Sequence, residues 1–269
     1  MKKRSIDRTM PRALRICAFV WAALAAGVSA PAWGQNFKPY ALNGENPKRA
    51  GGTWTMTLTE GLCQDVKYGD GRGESDCGNG NLRSQLQGPD IAPGREVEYA
   101  FDVFVPKSFE YRESLKYRTR GSVEIAGWQH IRAIKNHLFE MNLKGGGVTF
   151  EDHLCFDRKR FGAWNSVRVL VKWSLREDGF LRVLCNGKQV YALAGQTLIP
   201  PACGTSAKTN CHVDKLAHRN PIRWVIGPWY RGFGSDWKDY GRASPFLPFP
   251  RNGISIKVRN LYQGKLRNS

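Results

Sequence analysis

Apolar and polar residues alternate strictly along several stretches of the chain. Residues 96–105 set Val97, Tyr99, Phe101, Val103 and Val105 on one side and Glu96, Glu98 and Asp102 on the other, and Pro106 ends the run. Residues 165–173 repeat the pattern, with Val167, Val169, Val171 and Trp173 opposite Ser166, Arg168, Leu170 and Lys172. Leu181, Val183 and Cys185 follow, then Asn186-Gly187, then residues 188–191; near the end Ile254, Ile256 and Val258 alternate with Ser255, Lys257 and Arg259. A period of two marks half-buried antiparallel strands, and Asn-Gly between two such runs marks a tight hairpin.

No helical period of useful length appears beyond residue 34. Short strands punctuated by Gly, Pro and Asn, with no fixed repeat, predict one β-sandwich or jelly roll rather than a propeller. The least regular stretches, 69–81 and 200–220, read as surface loops.

The first residues read differently. Residues 1–15 carry Lys2, Lys3, Arg4, Arg8, Arg12 and Arg15 against Asp7; an apolar run, 16–30, and small residues around Ala30 and Gly34 follow. This is the pattern of a secretory signal, since the run falls short of the roughly 20 residues of a spanning helix. The expectation is therefore a signal over 1–34, one domain over 35–269, and an exported, periplasmic or secreted monomer with no membrane span.

Cysteine use agrees with an oxidising compartment. Six cysteines lie beyond the signal, and the expected pairs are Cys63–Cys77, Cys155–Cys185 and Cys203–Cys211. No two of them stand two to four residues apart, as a zinc site would require, and no metal is expected.

Charge narrows the partner. Past residue 34 the chain holds 35 Lys and Arg against 22 Asp and Glu, an excess that draws anionic partners. The usual nucleic-acid-binding signatures are missing, so nucleic acid ranks below anionic polysaccharide, and solubility alone is the other reading of the charge.

Three segments carry candidate chemistry. In residues 81–87 the strand period puts Arg83, Gln85 and Gln87 on one side, a guanidinium and two amides suited to a carboxylate and sugar hydroxyls. In residues 122–131 it puts Glu124, Ala126, Trp128 and His130 together. Trp128 would be a sugar platform and His130 a proton-transfer group, and Gln129 would join them through a bulge. In residues 222–232, Tyr230 is a candidate acid or base beside Arg231, among Trp224 and Trp229.

The order of these segments resembles the polysaccharide lyase family that contains heparin lyase I, related to glucuronan and alginate lyases with concanavalin-like jelly rolls. Arg83-Ser84-Gln85-Leu86 is similar to an early family strand. Residues 99–109 are similar to the next, Ala126 to His130 to a strand carrying Trp, Gln and His, and Trp173-Ser174 through Asp178-Gly179 and Asn186-Gly187 to a hairpin. Tyr230-Arg231 falls where the family has Lys-x-Gly-x-Tyr, with Ile226 at the Lys position and Pro228 at the Gly position, and Gln85 replaces a usual Glu.

The resemblance implies β-elimination at a uronic acid. Arg83, Gln85 and Gln129 would neutralise the carboxylate, His130 or Tyr230 would take the C5 proton, and Tyr230 would protonate the leaving oxygen. It implies no cofactor; calcium is compatible with such a family, but no acidic loop motif singles it out. Two other classes are a non-catalytic polysaccharide-binding sandwich and a glycoside hydrolase. The hydrolase needs paired carboxylates, and regular alternation leaves Glu124 without one on its strand.

Overall fold

The computed structural model describes residues 36–40, 46–59, 82–110, 123–130, 137–198, 220–230 and 253–267. Among them the regular structure is antiparallel β apart from one 3-10 turn, Arg158–Arg160. No helix there is long and apolar enough to cross a membrane.

Two sheets form a jelly-roll sandwich. One runs, edge to edge, β13 (Lys188–Ala194), β12 (Phe180–Cys185), β11 (Trp164–Lys172), β6 (Glu96–Phe104), β15 (Ile254–Gly264), β3 (Thr53–Leu58) and β2 (Lys48–Ala50). The other runs β1 (Lys38–Pro39), β5 (Leu86–Gln87), β14 (Ile222–Tyr230), β7 (Val123–His130), β8 (His137–Lys144), β9 (Gly147–Phe150) and β10 (His153–Asp157), with β4 (Leu82–Arg83) also paired to β14.

The seven-stranded sheet follows the sequence pattern. The predicted apolar sides of β6 and β11 are buried, as are Leu181, Val183, Ile254, Ile256 and Val258. The hairpin between β12 and β13 turns at Asn186 and Gly187, at φ 50° and 79°, angles that suit Asn and Gly.

The core between the sheets centres on aromatic rings. Tyr99 of β6 packs edge-on against Trp128 of β7 at 5.7 Å and Trp224 of β14 at 5.1 Å, and those two indoles stack at 6.3 Å. Such pairs contribute about 0.5–1.5 kcal/mol each beyond the area they bury. The Trp173 indole N–H donates to the Tyr99 hydroxyl at 3.0 Å, and burial pushes the Tyr99 phenol up, so this group stays neutral.

The Cys155–Cys185 disulfide joins β10 of one sheet to β12 of the other, as expected. Cys63, Cys77, Cys203 and Cys211 lie outside the described residues.

The eight-stranded sheet departs from regular pairing in four places, one of them the extra Cys155 on β10 between the pairs Leu154–Thr149 and Phe156–Val148. Glu124 pairs with Asn142 and Ala126 with Met141, so Ile125 is an extra residue on β7. Trp128 pairs with Phe139 and Gln129 with His137, so Leu138 is an extra residue on β8. On β14, Gly227 and Pro228 together face Ile125 between the pairs Ile226–Ala126 and Trp229–Glu124. The extra residues on β7 and β8 exchange the sheet face of the residues beyond them, while on β14 Ile222, Trp224, Ile226 and Tyr230 all keep the core side.

Gly227 is required at its bulge. Its φ is +126°, and a Cβ there would stand 2.3 Å from the Ser84 carbonyl oxygen and 2.6 Å from Met56 Sδ. Pro228 is tolerated next to it because a bulged residue need not donate to the ladder; its carbonyl accepts from Ser84 N–H at 3.0 Å.

Candidate functional site

The bulges decide which side chains of the eight-stranded sheet leave the core. Ile125 and Ala126 both join the core cluster, so Glu124 shares the outer face with Gly127 and Gln129, not with Ala126, Trp128 and His130. The missing Cβ of Gly127 would point at Glu124 Oε1, 2.2 Å away; the carboxylate is folded over the glycine.

Cross-strand pairing then builds rows on that face. One row reads Arg83, Trp229, Glu124, Asn142 and Thr149 across β4, β14, β7, β8 and β9. Another reads Arg223, Gln129 and His137 across β14, β7 and β8. Side chains in such a row stand about 5 Å apart, so the two rows form one polar surface.

Arg83 is the basic anchor of the first row. Its guanidinium lies 4.6 Å over the Trp229 ring and 5.6 Å over the Tyr40 ring, a pair of cation–π contacts. Tyr40 also engages Arg223, whose Nε and Nη2 donate to the two carboxylate oxygens of Asp90 at 3.0 and 3.2 Å. Burial lowers the Arg223 guanidinium, but Asp90 and Tyr40 outweigh it and the net shift is upward. The Trp229 ring also stacks with His137 at 5.3 Å and 25°.

His137 in turn meets two carboxylates. Its Nδ1 stands 3.1 Å from Glu140 Oε1 and 3.7 Å from Glu124 Oε2, with the Glu124 side chain fully buried and His137 27% exposed. One donor atom from each of the three residues lies within 4.8 Å of the others, close enough to share one metal ion. In a regular strand His137 and Glu140, three apart, would face opposite ways; the extra Leu138 brings them to one side.

Of the residues picked from the sequence, Arg83 and Gln129, both buried, lie on this outer sheet face, and Gln87 borders it as a half-buried partner of Val225 and Lys38. Four others are corrected. Trp128 is no sugar platform, because it is fully buried against Tyr99, Phe150 and Trp224. His130, 0% exposed, pairs with the core residue Ile222. Tyr230, 3% exposed, lies in the core cluster opposite Val123 and Leu82. Gln85 is fully buried and donates Nε2 to the Gly227 carbonyl at 3.3 Å.

For Trp128 and His130 the cause is register. Alternation carried from Glu124 to His130 without the Ile125 bulge turns Trp128 and His130 outward, whereas on β14 alternation holds and keeps Tyr230 in phase with the core residues Ile222, Trp224 and Ile226. Arg231 lies outside the described residues. His137, Glu140, Arg223, Trp229 and Tyr40 were not singled out as site residues; no local spacing joins them. Glu124 does have a partner carboxylate, Glu140, on the neighbouring strand rather than its own.

No protein-family model and no curated protein matches the chain. Among solved structures it is similar to an endo-β-1,4-glucuronan lyase from the fungus Trichoderma reesei, at 12% identity over 80% of each chain with a TM-score of 0.47. It is also similar to the alginate lyase Aly36B, at 17% identity over 86% of this chain and 88% of that one with a TM-score of 0.44. A third is the family 7 alginate lyase A1-II′, at 10% identity over 80% and 81% with a TM-score of 0.45. These three are glucuronan and alginate lyases, not heparin lyase I.

Proposed function

We propose that this protein is a polysaccharide lyase that cleaves a uronic-acid-containing anionic polysaccharide by β-elimination on the outer face of its eight-stranded sheet. The observation that carries the reading is the grouping of Arg83, Arg223 and Gln129 with the Tyr40 and Trp229 rings on one sheet face of a strongly basic chain.

The reaction sets the requirements. The C5 proton of a uronate is acidic only once the neighbouring carboxylate is neutralised, and negative charge grows on that carboxylate as the proton leaves. Guanidinium and amide donors held in place stabilise charge that develops in this way. Contacts with both the Trp229 and Tyr40 rings restrain the Arg83 guanidinium before substrate arrives. The proton acceptor belongs to this same face, which the buried His130 and Tyr230 do not reach.

The experiment is a panel assay of the purified protein on alginate, glucuronan and heparin-like glycans, following the ultraviolet absorbance of unsaturated uronate ends. The expected result is absorbance growth on at least one polyuronate, reduced at least tenfold in Arg83→Ala and Arg223→Ala. New reducing ends without that absorbance would assign the Glu124–Glu140 carboxylate pair to hydrolysis instead. Retention on an immobilised polyuronate with no new ends would make the chain a binding protein.

A further inference from the structure

The geometry points to a divalent-cation site formed by Glu124, His137 and Glu140, suited to a first-row transition metal such as Zn²⁺ or Mn²⁺. It rests on distances, donor chemistry and charge. Metal–ligand bonds of about 2.0–2.2 Å to imidazole nitrogen and carboxylate oxygen put neighbouring ligand atoms roughly 3–4 Å apart. His137 Nδ1 stands 3.1 Å from Glu140 Oε1 and 3.7 Å from Glu124 Oε2, and the full set fits within 4.8 Å. A shift of up to about 1 Å closes the three donors around one ion.

The donor set selects the ion class. One imidazole with two carboxylates is a mixed nitrogen and oxygen set, which suits zinc, manganese and iron; calcium prefers six to eight oxygens. Two carboxylates and a neutral imidazole balance a divalent charge, which matters because the Glu124 side chain is fully buried.

A second observation lies in the same cross-strand row. Asn142 Oδ1 and Thr149 Oγ1, successive neighbours of Glu124, are sealed from solvent and make no hydrogen bond among the described residues. Buried oxygens of that kind cost free energy unless a ligand or its bound water satisfies them. Gly127 contributes by omission: any side chain there would occupy the space of Glu124 Oε1.

On the lyase reading, on which this role rests, the ion would lie beside Trp229 and Arg83 and add a positive charge against the uronate carboxylate. Binding itself is measured without any glycan, so the two readings fail separately.

The test is calorimetric titration of the untagged, chelator-treated protein with Zn²⁺, Mn²⁺ and Ca²⁺, together with the visible absorption of the Co²⁺ form. The expected result is one equivalent of Zn²⁺ or Mn²⁺, bound at least 100-fold more weakly by Glu124→Gln, His137→Gln and Glu140→Gln, and a Co²⁺ spectrum that those variants lose. Glu140 is partly exposed, so Glu140→Gln keeps its fold even where Glu124→Gln does not; far-ultraviolet dichroism and melting curves verify this. Stoichiometric Ca²⁺ binding in place of Zn²⁺ and Mn²⁺, binding unchanged in Glu140→Gln and His137→Gln, or no stoichiometric binding at all would overturn the assignment.

Discussion

Gly127→Ala separates the site from the fold. The added Cβ would sit 2.2 Å from Glu124 Oε1, 3.0 Å from its Cδ and 3.5 Å from Val225 Cγ2. Only the carboxylate is in serious conflict, and it must retreat by roughly 1 Å to restore contact near ~3.5 Å. A metal–oxygen bond tolerates only about 0.2 Å, so Glu124 is lost as a ligand and cation affinity should fall at least tenfold.

Folding should hardly change in that variant. Gly127 has no positive φ, and alanine in a strand is favoured over glycine by about 0.5–1 kcal/mol, which offsets the local adjustment. Gly227→Ala supplies the contrast. There the Cβ meets a backbone carbonyl oxygen at 2.3 Å and Gln85 Cα at 2.8 Å, at a φ of +126°. Backbone strain and overpacking together should cost about 3 kcal/mol.

Calorimetric titration with Zn²⁺ and Mn²⁺, alongside melting curves, reads both effects. The reasoning fails if Gly127→Ala binds the ion as the unmodified protein does. It also fails if that variant melts as low as Gly227→Ala.

Three further outcomes follow from the same structure. The Cys155–Cys185 disulfide closes a loop of sequence separation 30, so replacing both cysteines by alanine should cost about 3.5 kcal/mol. That lowers the melting temperature by roughly 7–14 °C, and a drop under about 2 °C would remove the bond from the account of stability. Burial alone would raise the Glu98 carboxyl, but hydrogen bonds from Arg267 and Arg168 outweigh it and hold it below its ordinary value. Its contribution is then present above the ordinary carboxylate range and lost as pH falls through the lowered folded value. Glu98→Gln should cost about 2–3 kcal/mol near neutrality and flatten the acid limb of melting temperature against pH; an unchanged limb would refute this. Trp229→Ala removes the ring between Arg83 and His137 and should weaken retention on immobilised polyuronate about tenfold, or about 1.4 kcal/mol, with unaltered retention counting against the proposed surface.

The seven-stranded sheet was legible in the sequence because nothing disturbs its period where the pattern is clearest. Val167, Val169 and Val171 alternate with polar residues along β11, and the fold buries that side. Asn186-Gly187 marked its hairpin for the same local reason: few other residues adopt those φ angles without strain. The Cys155–Cys185 pair was expected, but sequence cannot choose among the pairings that six cysteines allow, and the approach of β10 to β12 decided it.

The site needed the tertiary structure. Strand alternation carries the correct face only until the first extra residue, and Ile125 on β7 and Leu138 on β8 each insert one. Beyond the Ile125 step Gln129 turns outward as Trp128 and His130 turn inward, and Tyr230 stays in phase with the core residues Trp224 and Ile226. A bulge is set by pairing with neighbouring strands, which one-dimensional spacing does not record. The same holds for Glu124, His137 and Glu140, which meet because two strands pair out of simple register. Local backbone preference therefore determined the strands, and long-range pairing decided which of their side chains face the core and which face a ligand.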